Sequence, residues 1–389
     1  MSLNSAPATG HRPLATGRGA AGLYVHLPFC ASRCAYCTFA TSTQLDLLPR
    51  TLAALRREIA EMGRRGGRVL ETLYLGGGTP SLVPESELSA LFAELDRHFP
   101  RRPGAEVTLE ANPDDVTSGT AAAWARLGVN RVSVGVQSFC DRVLAMLNRR
   151  HDAAQASTAV QALQRAGLAV SVDLMLGLPA LAAEDLKATL AEVARLRPGH
   201  VSVYLLEMDK PHALVRLAER RPDLFPDSDA AAAQFLTVGR ALTAAGYRHY
   251  EISNFALPGC EARHNVRYWR RRPVLAAGLA AHGHSGHRRW ANLDTLPAYL
   301  EAVEAGVPPR AWSRRLSDDE AARERVMLGL RLASGVPEGE IAACGAGTPE
   351  FGERVQEFLA LGLARRSRGR LRLTPRGWLV SNELLAALW

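Results

Sequence analysis

Along the chain, short runs rich in β-branched, aromatic and aliphatic residues alternate with longer stretches whose apolar positions recur at helical spacing. The runs cover residues 23–29, 71–78, 106–113, 131–138, 168–179 and 200–208, and each ends in Gly, Pro, Asn or a polar residue, as strands do. Between and after them, residues 47–62, 85–98, 153–166, 184–196 and 230–245 keep an amphipathic helical period. This alternation predicts parallel strands joined by right-handed crossovers. Six such units before residue 209 suit a partial β/α barrel better than a flat sheet, although the periodicity is common to both. In either, functional groups gather at the C-terminal ends of the strands.

The alternation fades through the His-rich stretch 264–290. From residue 316, helices are predicted at 318–333, 337–343 and 350–361, then a hairpin over 370–380 turning at Thr-Pro-Arg-Gly, then a closing helix. That order predicts a winged-helix-like, mostly helical C-terminal domain, with a plain helical cap on the barrel as the alternative. The expected organisation is a flexible tail at 1–21, a barrel at 22–255, a connecting region at 256–315 and a C-terminal domain at 316–389.

Composition narrows the class without changing the architecture. With 47% hydrophobic and 22% charged residues among 389, the chain is globular in type. It holds no apolar run of about 18 residues, the length of a spanning helix. Residues 1–21 lack a secretory apolar stretch, so the expected compartment is cytoplasmic. The net charge is +8, but all of the 47 basic residues except Lys187 and Lys210 are arginines, scattered in pairs. That distribution reads as codon usage in a GC-rich genome, and no specific nucleic-acid partner is expected.

Cysteine placement is more informative. Three of the six cysteines, Cys30, Cys34 and Cys37, follow the first predicted strand within eight residues, while Cys140, Cys260 and Cys344 stand alone as expected packing residues. Three thiolates on one tight loop can bind three irons of a [4Fe–4S] cubane and leave the fourth iron open to a small molecule. A structural zinc site is the alternative, but no fourth Cys or His sits at finger spacing. Gly76, Gly77 and Gly78 end the second strand run, where absent side chains would let the backbone approach a ligand.

The spacing Cys30-x-x-x-Cys34-x-x-Cys37, with Tyr36 before the last cysteine, resembles the radical S-adenosylmethionine (SAM) superfamily. Residues 24–30 (YVHLPFC) narrow the resemblance to relatives of oxygen-independent coproporphyrinogen III oxidase. So do the ordered blocks GGGTP (76–80), EANP (110–113), GVQSF (135–139), NRRH (148–151) and DLMLGLP (173–179). It extends from about residue 23 to the end of the chain. The resemblance implies a [4Fe–4S] cluster on Cys30, Cys34 and Cys37, with SAM on the open iron and cleaved by the reduced cluster to a 5′-deoxyadenosyl radical. It implies a SAM pocket of Tyr24, Tyr36, Gly77, Gly78, Thr79 and Glu110, and ligand-binding positions at Gln137, Arg149 and Asp173. Taken singly, each of these polar residues is equally a strand-end cap or a surface ion pair.

Residues 264–269, HNVRYW, match an HNxxYW block of the family's heme chaperone branch. By that resemblance His264 is the candidate axial ligand for heme, with Tyr268 and Trp269 as an apolar wall and His282, His284 and His287 as substitutes. Two functions compete. One is a heme chaperone delivering heme to a receiving protein, a respiratory one among the candidates, with peripheral membrane contact compatible. The other is coproporphyrinogen III dehydrogenase, converting two propionates to vinyls. The dehydrogenases carry a cysteine two residues after the third, where this chain has Phe39, and an N-terminal extension where it has about 22 residues. These departures and the HNxxYW block favour the chaperone; the residues leave enzymatic activity, acceptor and oligomeric state open.

Overall fold

The computed structural model describes residues 19–389; the expected tail lies almost wholly outside them. Strands β1 (Ala21–Leu27), β2 (Leu70–Gly77), β3 (Arg101–Ala111), β4 (Arg131–Gln137), β5 (Ala169–Leu176) and β6 (His200–Leu205) pair in parallel in that order. The connecting helices are α1 (Leu48–Arg64), α2 (Glu85–His98), α3 (Ser118–Arg126), α4 (Asp141–Met146), α5 (Ala153–Arg165) and α6 (Ala183–Leu196), and all strand runs agree with the sequence pattern to within a few residues. Local signals set their ends. Asp152 and Gln155 form a reciprocal capping box at α5, and Pro49 opens α1.

The strands alternate strictly. Outward residues such as Leu23, Val25, Leu73, Leu75, Val132, Val134 and Val172 are wholly buried under the helices. Inward positions are polar instead: Thr72 and Tyr74 on β2, Thr108 and Glu110 on β3, Ser133 on β4, Ser171 and Asp173 on β5, His200 and Ser202 on β6. Parallel strands usually read as continuous apolar runs because both faces are dry. Here the helices supply one dry face and the barrel interior is left polar.

After α7 (Ala213–Arg220) and α8 (Ser228–Ala244), the antiparallel pair β7 (Arg248–Glu251) and β8 (Asn254–Ala256) extends the β6 edge. The stretch expected as a connecting region instead carries much of the sheet. Helix α9 (Arg263–Trp269) is followed by β9 (Val274–Gly278), parallel to β1, and by the antiparallel strands β10 (His282–Ser285), β11 (Arg288–Asn292) and β12 (Arg310–Arg315), with α10 (Leu296–Glu304) between the last two. The sheet has twelve strands in the order β12-β11-β10-β9-β1-β2-β3-β4-β5-β6-β8-β7. Strands β10–β12 escape a hydropathy reading because they are short and built of His, Arg and Gly.

The C-terminal domain has its own core around Phe351, Phe358 and Trp378. Helices α11 (Asp318–Gly329), α12 (Glu338–Gly347) and α13 (Pro349–Ala360) pack with β13 (Val336–Pro337), β14 (Ala364–Ser367) and β15 (Arg370–Leu373), whose order β13-β15-β14 is winged-helix-like. The hairpin does not turn at Thr-Pro-Arg-Gly. It turns at Arg368-Gly369, both with positive φ (53° and 68°), whereas Thr374 caps α14 (Pro375–Leu379) by accepting from Gly377 N–H, and α15 (Ser381–Ala386) closes the chain. No helix among the described residues is long and apolar enough to cross a membrane.

Glu58 ties the late strands to the barrel from inside the protein. Its carboxyl accepts from Gly278 N–H (2.8 Å), Asn292 Nδ2 (2.7 Å) and the Tyr299 hydroxyl (2.7 Å), joining α1 to β9, β11 and α10. Burial pushes its pKa up to about 6 despite those three donors. Replacing it strands three buried donors, each worth about 1–3 kcal/mol. Glu58→Leu should therefore lower unfolding free energy by roughly 3 kcal/mol or more, read from denaturant midpoints at constant slope; an unchanged midpoint would contradict this role.

Candidate functional site

Beyond the end of β1, residues 28–42 form a loop that is pinned along its length. Cys30 N–H donates to Ser42 O (3.0 Å), Ser42 N–H to Pro28 O (2.7 Å), Ala35 N–H to Leu147 O (3.1 Å) and Leu214 N–H to Ala35 O (3.2 Å). Asn148 Nδ2 donates to Arg33 O (2.8 Å), and His26 Nε2 meets Ala40 O at 3.0 Å. This frame turns Cys30, Cys34 and Cys37, all free thiols and partly exposed, into one cavity of about 680 Å³ over the C-terminal strand ends.

Two donors address the thiols. Thr79 Oγ1 donates to Cys30 Sγ (3.3 Å), and Arg149 Nη1 to Cys34 Sγ (3.1 Å), while Arg149 Nη2 reaches Asn112 Oδ1 and Gly135 O, both at 2.6 Å. At Cys30 burial raises the thiol pKa, against the Thr79 hydroxyl and the Arg149 guanidinium, which favour the thiolate. Among the described residues, no three His, Cys, Asp or Glu side chains close around one point as a mononuclear ion site requires. Three soft donors on one preset loop suit an iron–sulfur cluster.

Glu110 and Asp173 stand in the same cavity. Burial raises Glu110 to about 7, opposed by Tyr74 Oη–H (2.7 Å) and Gly77 N–H (2.9 Å), which donate to its two oxygens. Burial likewise raises Asp173 to about 6, against the hydroxyls around it, of which Ser133 donates at 3.0 Å. Gln137 also lines the cavity and has a positive φ of 67° at the end of β4, a strained conformation for a residue with a side chain. Tyr36 and Thr79 are cavity residues too.

The glycines also serve the protein's own packing. A Cβ on Gly78 would lie 2.6 Å from Phe29 O and 2.8 Å from Leu27 O; one on Gly77, at φ +110°, would fall 2.4 Å from the His26 ring. Their missing side chains let β2 touch the base of the cysteine loop, so the close approach is between two strands of the protein. Gly77 and Gly78 still border the cavity through their backbone.

Two expected residues are not brought to the site. Tyr24 does not line the cavity; its hydroxyl bonds His26 Nδ1 (3.0 Å), behind the loop. His264 is 1% exposed, with Nδ1 2.9 Å from Thr72 Oγ1 and its ring between Tyr74 and Tyr268 at 5.1 and 5.3 Å. Helix α9 lies at the N-terminal end of the barrel, its first amides capped by the buried Glu106, which accepts from Arg263 and His264 N–H at 2.9 and 2.8 Å. His264 therefore cannot face a flat ligand from there, which corrects the expectation of an open axial histidine on an aromatic wall. Its surroundings hold it neutral, burial lowering its pKa to about 3.

Tyr74, Asn112, His26 and the inward serines were not singled out from the sequence. The signal that finds them is the apolar–polar alternation of runs such as Arg131–Gln137, RVSVGVQ, which is unexpected for a strand buried on both faces.

Comparisons with known proteins agree with this geometry. Residues 24–193 match the radical SAM superfamily and residues 316–380 the HemN C-terminal domain. The chain is 36% identical over 373 residues to the heme chaperone HemW of Mycobacterium tuberculosis, covering 94% of each chain. It is 31% identical over 371 residues to that of Bacillus subtilis, covering 94% of this chain and 98% of the relative. The chain therefore belongs to the HemW family of radical SAM proteins, and that superfamily carries a [4Fe–4S] cluster and SAM. Among solved structures, coproporphyrinogen III oxidase (HemN) from Escherichia coli superposes with a TM-score of 0.83 at 22% identity, covering 95% of this chain and 90% of that one, a likeness of fold.

The contact between β2 and the loop base is open to a direct check. Gly77→Ala places a methyl into the His26 ring and forces a side chain into positive φ, a strain of about 1–3 kcal/mol. The variant should melt lower and retain less iron and sulfide after anaerobic reconstitution; parent-like values for both would show that the contact is dispensable.

Proposed function

We propose that this chain is a heme chaperone: a cytoplasmic protein that holds a [4Fe–4S] cluster and SAM at the mouth of its barrel and passes heme to a receiving protein, a respiratory one among the candidates. The observation that carries this reading is similarity to HemW relatives at 31–36% identity over 94% of this chain. The site supports it. Cys30, Cys34 and Cys37 would hold the cluster, and the open iron would supply reductive chemistry toward SAM when both are bound. Glu110 would take SAM's ammonium, with Thr79 and the Gly77–Gly78 backbone beside it, while Gln137, Arg149 and Asp173 would meet its carboxylate and ribose. Tyr24 acts from behind, through His26, by steadying the loop.

The alternative, coproporphyrinogen III dehydrogenase, requires a tetrapyrrole propionate in near contact with the adenosyl group. At the position of the dehydrogenases' extra cysteine, this chain exposes two-thirds of Phe39 (66%). An apolar, unbonded group there offers no proton or thiol.

Two measurements test the reading. Heme-loaded protein mixed with an apo b-type cytochrome should lose its Soret band to the acceptor, and the reduced, cluster-loaded protein with SAM and coproporphyrinogen III should form no protoporphyrinogen over many turnovers. Protoporphyrinogen accumulation, or no heme uptake, would overturn it. SAM binding should also depend on pH. Glu110 titrates near 7, so its carboxylate is present above that value and lost below it, and affinity should fall as pH drops through neutrality. Glu110→Gln should lose about 1.5–3 kcal/mol of SAM binding at alkaline pH and flatten the profile, measured by anaerobic calorimetry.

A further inference from the structure

With His264 buried, the heme of the proposed function has no seat assigned. The inference below rests on that function. Four histidines lie in the region following β8, and their environments differ sharply. His264 is bonded to Thr72, and His284 is 5% exposed with its ring 6.0 Å from Tyr268. His287 Nδ1 is 3.4 Å from Asp318. His282 is exposed and makes no hydrogen bond among the described residues.

His282 also has a particular neighbour. Strand register sets His282 opposite Ala291 and Ala291 opposite Trp312, so the three stand in one row across β10, β11 and β12 and share a face. Over the small Ala291, 3% exposed, the His282 and Trp312 rings approach to 5.9 Å at 68°. Trp312 keeps 44% of its surface open. It lies on the outermost strand of the sheet, all six of whose residues are exposed. Alternation puts Arg314 on the face of Trp312, where it pairs with Glu320, while Arg315 faces the other way and Arg310 packs over the Trp290 ring at 5.0 Å on that far side. Arginines on an edge strand discourage pairing with other chains. An open tryptophan beside an unbonded imidazole does not follow from that need.

We propose that this open face of β10–β12 is the heme seat, with His282 as axial ligand to the iron, Trp312 as the flat apolar wall against the porphyrin, and Arg314, exchanging Glu320 for the ligand, meeting a propionate. Iron takes a neutral imidazole nitrogen. Partial burial and the nearby Arg289 guanidinium lower the pKa of His282, so the ring is neutral at pH 7. Arg314 already binds a carboxylate on this face, that of Glu320, and a propionate presents the same group with the same geometry. A surface platform rather than an enclosed cavity also fits a cargo that is surrendered to another protein, since release sets the rate of hand-over. The seat is distinct from the cysteine cavity, whose lining contains neither His282 nor Trp312.

The test is an absorption titration of the full-length, cluster-loaded protein with ferric heme. His282→Ala should shift the Soret maximum and weaken binding by roughly tenfold or more, and added imidazole should restore the parent spectrum. Trp312→Ser should weaken binding several-fold without removing the ligand. In the Arg314→Glu chain, heme should bind less tightly but heme dimethyl ester, which lacks the propionate charges, should bind as in the parent. Trp389→Ser, at another tryptophan with 60% exposure, should change nothing. Iron and sulfide content, unaltered throughout, reports that each variant is folded. If the parent binds heme and both His282→Ala and Trp312→Ser give the parent spectrum and affinity, the seat is elsewhere and the chaperone reading stands. If Trp389→Ser loses affinity equally, heme is adhering to exposed tryptophan and the seat is refuted. If the parent takes up no heme, the proposed function falls and the seat with it.

Discussion

Backbone contact between two neighbouring strand ends holds the chemistry of this protein in place. Gly78 N–H donates to Leu27 O (2.8 Å) and Thr79 N–H to Phe29 O (2.7 Å), just where β1 gives way to the cysteine loop. No side chain fits between them. The same few residues then serve the cavity twice: Gly77 N–H orients Glu110, and Thr79 reaches Cys30. The thiols, the carboxylate and the hydroxyl thus share one rigid support, and a shift of β2 against β1 would misplace all of them together. Precision of this kind is what a site built on strand ends offers over one built on free loops.

Buried titratable groups, in the barrel interior and beyond it, are costly to house. Burial raises Glu58 and Asp173 to about 6 and Glu110 and Glu251 to about 7. Burial also lowers His151, His249 and His284 to about 4 and His264 to about 3. The folded chain keeps protons on the acids that the unfolded chain would release, so each acid subtracts stability as pH rises from about 4 toward 7. The histidines do the opposite: the unfolded chain gains protons that the folded one refuses, so each subtracts stability as pH falls below about 6.5. Across the window where both titrate the two slopes oppose each other.

The barrel was legible because its signal is local. Six apolar runs with polar ends, and helices with ordinary caps, read directly as parallel units, and the cysteines stood out by spacing alone. What escaped is non-local. Strands such as β10, HGHS, and β12, RAWSRR, become strands by pairing with neighbours, and carry no hydropathy of their own. Thr374-Pro375-Arg376-Gly377 satisfies both a turn and a helix start, and only the preceding Arg368-Gly369 turn decides between them. For His264, residue type and motif pointed to a ligand, but exposure depends on where α9 packs, which no spacing within the motif encodes. Tyr24 differs by direction rather than depth: its strand partner Tyr74 lines the cavity, whereas the Tyr24 hydroxyl turns to His26.

Helix α9 has one more consequence. Ala262 and Asn265 line the inner end of the cavity, and the residues between and beyond them are locked to Glu106, Thr72 and Glu71 at the start of β2 and β3. Helix α9 is therefore a floor beneath the polar interior as well as a clasp on two strand starts. Loosening it would admit water to the buried polar groups from below and free β2 and β3 together, so the cavity and the framework of the sheet share one point of failure.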